Sequence, residues 1–189
     1  MKVLMLLSDG FEEMEALAPA DVLIRGGVEV EISSITGSTS LKGTHNIIIN
    51  ANSTIPETIT DAQAADISGK YDAICLPGGQ PNASNLQKDD RVIALVKAFY
   101  NAGKITSAIC ASPCVLERAG LLKDKKATSY PGCVDPANCK EYTDEKVVRD
   151  GLIITGKAAG TAIDFGLEIL KGLGLENEAE KVEKQIFYK

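Results

Sequence analysis

Apolar and polar positions along the chain form two alternating patterns. Short runs of consecutive apolar residues predict buried strands, whereas stretches with apolar residues three and four apart predict helices. Strands are expected at residues 2–7, 28–35, 47–49, 73–76, 105–109 and 127–130. Residues 147–149 and 152–155 flank an Asp-Gly turn, which predicts a hairpin.

Between these strands lie amphipathic stretches that predict helices. They are expected at residues 12–26, 90–102, 112–119, 161–173 and 176–186, with weaker helical signals over 55–67. Pro19 lies inside the first of them and is expected to kink it or to mark a second start. Strands that alternate with helices predict an α/β sandwich, with a mostly parallel central sheet, helices on both faces and a small hairpin.

Length and composition narrow the class of protein. The 189 residues suit one domain over residues 1–189, and the 44% apolar and 24% charged fractions are typical of globular proteins. The net charge of −6 and the pI near 4.9 disfavour nucleic acids and anionic membranes as partners. No apolar stretch reaches the roughly 20 residues of a membrane span, and acidic residues follow Leu7 closely, so we expect a cytoplasmic protein.

Five cysteines in no scaffold-like spacing predict reduced thiols. A metal site is not expected, because the only histidine, His45, lies far from the cysteines in sequence. Cys75 is expected inside a strand, and Cys114 is expected to pack within a helix or to resolve an oxidised Cys110. Cys133 and Cys139 lie in a polar loop and are expected to be exposed.

Cys110 stands where an apolar strand ends and a helix begins. Ser112 suits the helix cap and Pro113 the first turn. Open parallel sheets bind their ligands at the edge formed by the carboxyl ends of the strands, where Cys110 is expected. A helix N-terminus also lowers the pKa of a thiol. The position therefore predicts a nucleophile elbow with cysteine in place of serine. The alternative is an ordinary buried core cysteine.

Two other strand ends are expected at the same edge. Gly78 and Gly79 follow the strand at 73–76 and predict either a tight turn or an oxyanion site made of backbone N–H groups. Glu12, Glu13 and Glu15 follow the first strand and are most simply solvated charges at a helix start. One of them, directed inward beside the thiol, would act as a proton donor or base.

Four motifs together resemble the ThiJ/PfpI superfamily, in its DJ-one (Parkinsonism-associated) branch. They are D-G-F-E-E-M-E at 9–15, L-P-G-G at 76–79, A-I-C-A-S-P at 108–113, and D-G-L-I-I-T at 150–155 followed by G-T at 160–161. The four motifs occur in the same order as in that family and span nearly the whole chain. The resemblance implies a flavodoxin-like sandwich that forms a homodimer.

The same resemblance implies roles for individual residues. Cys110 would be the nucleophile, and Glu15 the buried, protonated carboxyl bonded to its sulfur. Gly78, Gly79 and Ala111 would present backbone N–H groups to a substrate oxygen. Tyr130 stands where several members carry a histidine, and its hydroxyl is a poor base near neutral pH.

The chemistry expected from this resemblance lacks a catalytic triad. Ala111 follows the cysteine where peptidase-like members carry a histidine, so protease and amidotransferase activities are disfavoured. The expected function is a cofactor-independent glyoxalase or deglycase that acts on methylglyoxal-like carbonyls and protects against oxidative stress. A non-enzymatic redox sensor or chaperone-like stress protein could use the same cysteine. A third alternative is a non-catalytic binding domain, although no nucleotide-binding or flavin-binding motif is present.

Overall fold

A seven-stranded sheet forms the centre of the computed structural model, which describes residues 1–188. The strands in chain order are β1 (Lys2–Leu7), β2 (Glu29–Ser34), β3 (Ser40–Lys42), β4 (Ile48–Asn50), β5 (Ser53–Thr54), β6 (Ala73–Leu76), β7 (Ile105–Ile109), β8 (Lys126–Ala127), β9 (Glu141–Tyr142), β10 (Val147–Asp150) and β11 (Ile153–Gly156). The pairs β3–β4 and β8–β9 stand apart from the main sheet.

The helices lie on both faces of the sheet. They are α1 (Glu13–Arg25), α2 (Asp61–Ser68), α3 (Asn82–Lys88), α4 (Asp90–Asn101), α5 (Pro113–Arg118), α6 (Ala162–Gly172) and α7 (Glu176–Gln185), with 3-10 turns at Pro136–Asn138 and Ala159–Thr161. Helices α1, α6 and α7 pack into one hydrophobic cluster, and α2 to α5 pack into the other. Among residues 1–188, every helix is too short or too polar to cross a lipid bilayer.

The strand order is β10-β11-β7-β6-β1-β2-β5, and all neighbours are parallel except β10 and β11. The chain leaves β1 towards β2 on one side and returns to β6 on the other, so the topological switch lies between β1 and β6. Parallel strands end at one edge, which places the ends of β11, β7, β6 and β1 side by side. This is the edge at which open α/β sheets bind ligands.

Alternation along the strands divides the core between the two faces. In β1, Val3, Met5 and Leu7 belong to the α1–α6–α7 cluster, whereas Leu4 and Leu6 belong to the other. These side chains are at most 2% exposed, and burial of each contributes about 1.5–3 kcal/mol. The strand ends are thereby held rigidly beneath the site.

The fold class predicted from the sequence is confirmed, and several elements differ locally. The short strands β3, β5 and β9 were not predicted. Helix α1 runs through Pro19 without a second start. The strand expected at 127–130 is shorter and one residue earlier, at β8. Helix α3 was not predicted, because it has no side-chain cap and buries only Asn82, Ala83 and Leu86.

Candidate active site

Cys110 lies between β7 and α5, in the turn that the sequence predicts. Its φ is +63°, a left-handed conformation that costs a non-glycine residue about 1–3 kcal/mol. Two backbone hydrogen bonds hold this conformation. The Cys110 N–H donates to the Gly156 carbonyl at 2.9 Å, and the Tyr130 N–H donates to the Cys110 carbonyl at 2.7 Å. The turn is thus tied to the end of β11 and to the segment after β8.

Ser112 supports the turn in a way that the sequence did not predict. Pro113 does stand at the first turn of α5, but Ser112 makes no capping hydrogen bond. Its hydroxyl instead donates to the Pro77 carbonyl at 2.6 Å, and the whole residue is buried. The expected helix cap is therefore a link between the cysteine turn and the turn after β6.

Gly78 leaves no room for a side chain. A Cβ at this position would lie 2.5 Å from Glu15 Oε2 and 2.8 Å from the Cys110 Cβ. Its N–H donates to Glu15 Oε2 at 3.0 Å. In this structure the proton of the Gly78 amide is bonded to the carboxyl group, so its role as a donor to a substrate oxygen stays a prediction that requires this bond to be exchanged.

Asn82, which sequence reasoning missed together with α3, joins two strand ends. Its amide donates to the carbonyls of Pro77 and Gly78, at 2.8 and 3.0 Å. Its side-chain oxygen accepts the Ser8 N–H at 2.7 Å. Since Asn82 is fully buried, these bonds fix the loops after β1 and β6 relative to each other.

The carboxyl of Glu15 meets the Cys110 thiol from the first turn of α1. Glu15 is 1% exposed, and its carboxyl is hydrogen-bonded to the thiol and to the Gly78 N–H. Burial raises the pKa of Glu15 to about 7, against the lowering effect of those two bonds. The sequence alone did not separate Glu15 from Glu12 and Glu13. The helix separates Glu15 from Glu13, because it turns Glu12 and Glu15, three residues apart, towards the same side. Depth then separates Glu15 from Glu12, whose side chain is 16% exposed.

The pKa of the Cys110 thiol is not lowered in the way that its position at a helix N-terminus predicts. Burial and the neighbouring Glu15 carboxylate raise the pKa of Cys110, whereas a hydrogen bond from the Ala111 N–H lowers it. The expected net lowering is therefore wrong. Protonation of Glu15 removes its negative charge and provides a donor to the sulfur. Cys110 and Glu15 thus titrate as one coupled pair, and the thiolate forms when the proton moves to Glu15.

A pocket of about 260 Å³ opens onto this pair. The residues that line it come from five segments of the chain, and they are Glu12, Glu15, Gly79, Cys110, Tyr130, Ala158, Ala159 and Gly160. Sequence reasoning did not assign the segment 158–160 to the site. The one available signal was its position directly after β11, a strand that ends at the same edge of the sheet.

Three backbone N–H groups at this pocket remain available to a ligand. Within residues 1–188, the N–H groups of Gly79, Ala159 and Gly160 have no hydrogen-bond partner. The N–H of Ala111 is bonded to the Cys110 sulfur. Of the three amides expected to bind a substrate oxygen, Gly79 alone is free, and the segment after β11 supplies two others.

Tyr130 forms the outer wall of the pocket. The residue is 52% exposed, and its backbone N–H is the donor to Cys110 described above. The only histidine, His45, is not among the residues that line the pocket. The part of the chain that the structure describes therefore gives Cys110 an acidic partner and no imidazole.

A second acidic cluster lies beside the pocket. Glu13 is buried, and its carboxylate accepts the His45 N–H and contacts the His45 Nδ1, both at 2.7 Å. Glu12 Oε2 lies 3.7 Å from the same Nδ1. The ligand atoms of these three residues fall within 4.8 Å of one another, close enough to contact one cation. The expectation that all three glutamates are solvated is wrong for Glu13 and Glu15.

The remaining cysteines are less exposed than the sequence suggests. Cys75 and Cys114 are buried, as expected. Cys133 and Cys139 are half-buried and pack against the hydrophobic cluster of α2 to α5, so the prediction of exposed loop thiols is wrong. The apolar residues of this loop fold back onto the core, which a polar composition does not reveal.

The chain is similar to known proteins over nearly its whole length. A family model described as the DJ-1/PfpI family matches residues 1–172. The protein dj-1beta of Drosophila melanogaster is 34% identical over 183 residues, which cover 96% of this chain and 94% of the relative. The structure of Schizosaccharomyces pombe DJ-1 has a TM-score of 0.88 at 28% identity and covers 98% of each chain. An oxidised Toxoplasma gondii DJ-1 has a TM-score of 0.85 at 28% identity, with 98% of this chain and 97% of that chain covered.

The matched region includes all the parts of the site. Cys110, Glu15, the glycine turn after β6 and the segment after β11 all lie within residues 1–172. The similarity therefore covers the sheet, both helical layers and the pocket. The chain belongs to the DJ-1/PfpI family.

Proposed function

We propose that this DJ-1-type protein converts small reactive carbonyl compounds, such as methylglyoxal, through the Cys110 thiol and without glutathione or another cofactor. The observation that supports this most strongly is the hydrogen-bonded pair of Cys110 and Glu15 at the pocket wall. A carboxyl with a pKa of about 7 can both accept and return a proton at neutral pH. Removal of carbonyl adducts from other molecules, the deglycase reaction, would use the same pair.

The first step forms a hemithioacetal. The Cys110 sulfur adds to the aldehyde carbon of methylglyoxal as its proton passes to the Glu15 carboxylate. Glu15 then gives this proton to the former carbonyl oxygen, which becomes a hydroxyl, and Glu15 is a carboxylate again. The free N–H groups of Gly79, Ala159 and Gly160 are suited to stabilise negative charge on that oxygen. The left-handed turn at Cys110 directs the sulfur into the pocket rather than into the core.

The second step moves a proton between adjacent carbons. Glu15, as the carboxylate, takes the proton from the former aldehyde carbon and returns it to the neighbouring carbon. The hydroxyl proton of the hemithioacetal moves to the ketone oxygen in the same isomerisation, so that the first carbon becomes the thioester carbonyl and the second carries the hydroxyl. The product is a lactoyl thioester on Cys110, with no net oxidation. Water then cleaves this thioester, and lactate and the free thiol are released. Tyr130 is not required as a base in this sequence of steps, and no histidine is needed.

The proposal is tested with purified protein free of glutathione. We expect methylglyoxal to be consumed, with lactate as the product, and the rate to fall by at least about 10³-fold in Cys110→Ser. Cys139→Ser is the matched control, since Cys139 lies outside the pocket. Equal rates in wild type and Cys110→Ser would overturn the proposal.

A redox role is a second candidate, because the same site suits an oxidised cysteine. Cys110 faces a pocket, and a protonated Glu15 would donate a hydrogen bond to a sulfinate oxygen. The solved Toxoplasma gondii DJ-1 is itself described as oxidised. After mild peroxide treatment, mass analysis is expected to place two added oxygens on Cys110, and oxidation spread over Cys133 and Cys139 would contradict this role.

We further propose a homodimer. Large apolar side chains lie exposed on two neighbouring elements, with Met14 and Leu17 on α1 and Ile47 and Ile48 at β4. Hydrogen bonds from the β3–β4 hairpin to the residues at the start of α1 bring these two elements next to each other, which supports a shared apolar surface. An apolar surface of this kind is typical of an interface between subunits. A monomeric mass in light scattering would contradict the dimer.

A further inference from the structure

The Cys110 pocket carries side-chain charge of one sign. Of the described residues that line it, Glu12 and Glu15 have carboxyl groups, and none has a basic side chain. The other walls are Tyr130, Gly79 and the segment 158–160. A molecule that reaches Cys110 therefore passes acidic groups and uncharged surfaces only.

Two basic residues adjoin this lining, and both are paired with carboxylates. His45 Nδ1 lies 2.7 Å from Glu13 Oε2 and only 3.7 Å from Glu12 Oε2, so even a protonated His45 faces two carboxylates. Lys157 directly precedes the wall segment 158–160, but its amine pairs with Asp144. Neither group neutralises Glu12 completely.

Glu12 is the charged member of the lining. Glu15 is buried, and burial together with the nearby Glu12 charge raises its pKa to about 7. The Glu12 side chain is 16% exposed and lies at the pocket. A carboxylate this deep is less screened by water and salt than a surface charge.

The segment 158–160 offers the pocket hydrogen-bond donors but no full positive charge. The free N–H groups of Ala159 and Gly160 offer partial positive charge to a carbonyl oxygen. A neutral carbonyl compound can accept from these groups without placing a full negative charge next to Glu12. A carboxylate on the same compound would meet that charge.

We propose that Glu12 makes the pocket select uncharged carbonyl compounds and reject those that carry a carboxylate, such as glyoxylate and other 2-oxo acids. Glu12 is then a determinant of specificity, separate from the reacting pair. This inference rests on the proposed function for its substrates. The charge selection itself can be measured on the thiol without any catalysis.

The experiment compares two alkylating reagents of similar size that differ in charge. Iodoacetamide is neutral and iodoacetate is anionic, and mass spectrometry of the Cys110 peptide gives the rate of each. The rates are divided by those of N-acetylcysteine, which removes the intrinsic difference between the reagents. The ratio also cancels any change in the nucleophilicity of Cys110 between variants.

We expect wild-type Cys110 to favour iodoacetamide by about fivefold over the reference thiol, and 0.5 M salt, well above the physiological range, to narrow this preference. Glu12→Gln should bring the ratio close to that of the reference. The matched control is Glu180→Gln, which changes the net charge equally at an exposed position on α7 outside the pocket. A wild-type ratio equal to the reference, or equal ratios in the two variants, would overturn the inference.

A substrate measurement separates this inference from the proposed function. The values of kcat/KM for methylglyoxal and glyoxylate should differ less in Glu12→Gln than in wild type. If neither compound is consumed, the proposed function fails, while the alkylation ratio still decides whether the pocket selects by charge. If both are consumed with the same preference in the two proteins, Glu12 does not determine specificity.

Discussion

Cys75 and Cys110 are the same residue type, one inside a strand and the other just past the end of the neighbouring parallel strand, yet only one is suited to chemistry. Cys75 lies inside β6, paired with Ser107 of β7, and is 0% exposed. Burial raises its pKa to about 12, and the pKa of Cys110 is raised as well, so the two thiols differ in access rather than in pKa. Cys110 lies three residues beyond Ser107, one residue past the end of β7, and faces the pocket. Position relative to the carboxyl edge of the sheet, rather than residue type, separates a core cysteine from a nucleophile.

The second difference between the two thiols is the partner that each has. Cys75 is hydrogen-bonded to the Ser107 hydroxyl, which has no acid–base role near neutral pH. Cys110 is bonded to Glu15, which exchanges protons near pH 7. Burial keeps Cys75 away from reagents, and burial also makes Glu15 a base that works near neutral pH. In both residues the low polarity of the surroundings raises the pKa.

The largest expected effect concerns access to the two thiols. N-ethylmaleimide should label Cys110 at least about 10³-fold faster than Cys75, because Cys75 becomes accessible only when the core opens, at a free-energy cost of roughly 5 kcal/mol or more. Peptide mass spectrometry of the native protein measures both rates. Labelling of the two at similar rates would mean that Cys75 is not a core residue.

A smaller effect follows from the raised pKa of Glu15. Between its ordinary value of 4.5 and its value of about 7, the unfolded chain has lost the Glu15 proton while the folded chain keeps it. Stability should therefore fall as pH rises through this window, by on the order of 3 kcal/mol for this group, and change no further above it. Urea denaturation at pH 5 and pH 8 measures the change.

The variant Glu15→Gln should lack this contribution, and Glu180→Gln should keep it, since Glu180 is exposed. The free energy of unfolding of Glu15→Gln should thus depend less on pH than that of the wild type. The same pH dependence in all three proteins would show that Glu15 does not hold its proton in the folded state.

The smallest effect tests the geometry around the pair. Gly78→Ala places a methyl group 2.5 Å from Glu15 Oε2 and 2.8 Å from the Cys110 Cβ, so the two side chains of the pair must shift from their present positions. We expect kcat/KM for methylglyoxal to fall on the order of tenfold to a hundredfold, while the fold is retained. Gly37→Ala is the control, because a Cβ there meets no atom within 4 Å. Similar activity of Gly78→Ala and Gly37→Ala would show that the reaction does not depend on the position of the Glu15 carboxyl.

The sequence was sufficient for the features that depend on local patterns. Apolar runs placed β1, β6 and β7 within a residue, since a buried parallel strand needs consecutive apolar side chains. The change from strand to helix around Cys110 needs only the run before it and Pro113 after it. The acidic groups near α1 were also visible, but only the family resemblance selected Glu15 among them.

The tertiary structure decided every feature that joins distant segments. The Gly78 N–H binds Glu15, Ser112 reaches Pro77 instead of capping α5, and His45 pairs with Glu13. Each of these bonds joins residues more than 30 positions apart, and local propensity carries no information about such contacts. The segment 158–160 joins the pocket for the same reason.

The tertiary structure also decided the direction in which the pKa of Cys110 shifts. A helix terminus, which is visible in the sequence, lowers the pKa of a thiol, but burial and a neighbouring carboxylate raise it. Which effect prevails depends on depth and on distances between side chains. The sequence thus determined where the nucleophile stands, and the packing of α1 against the strand ends decided which group exchanges its proton.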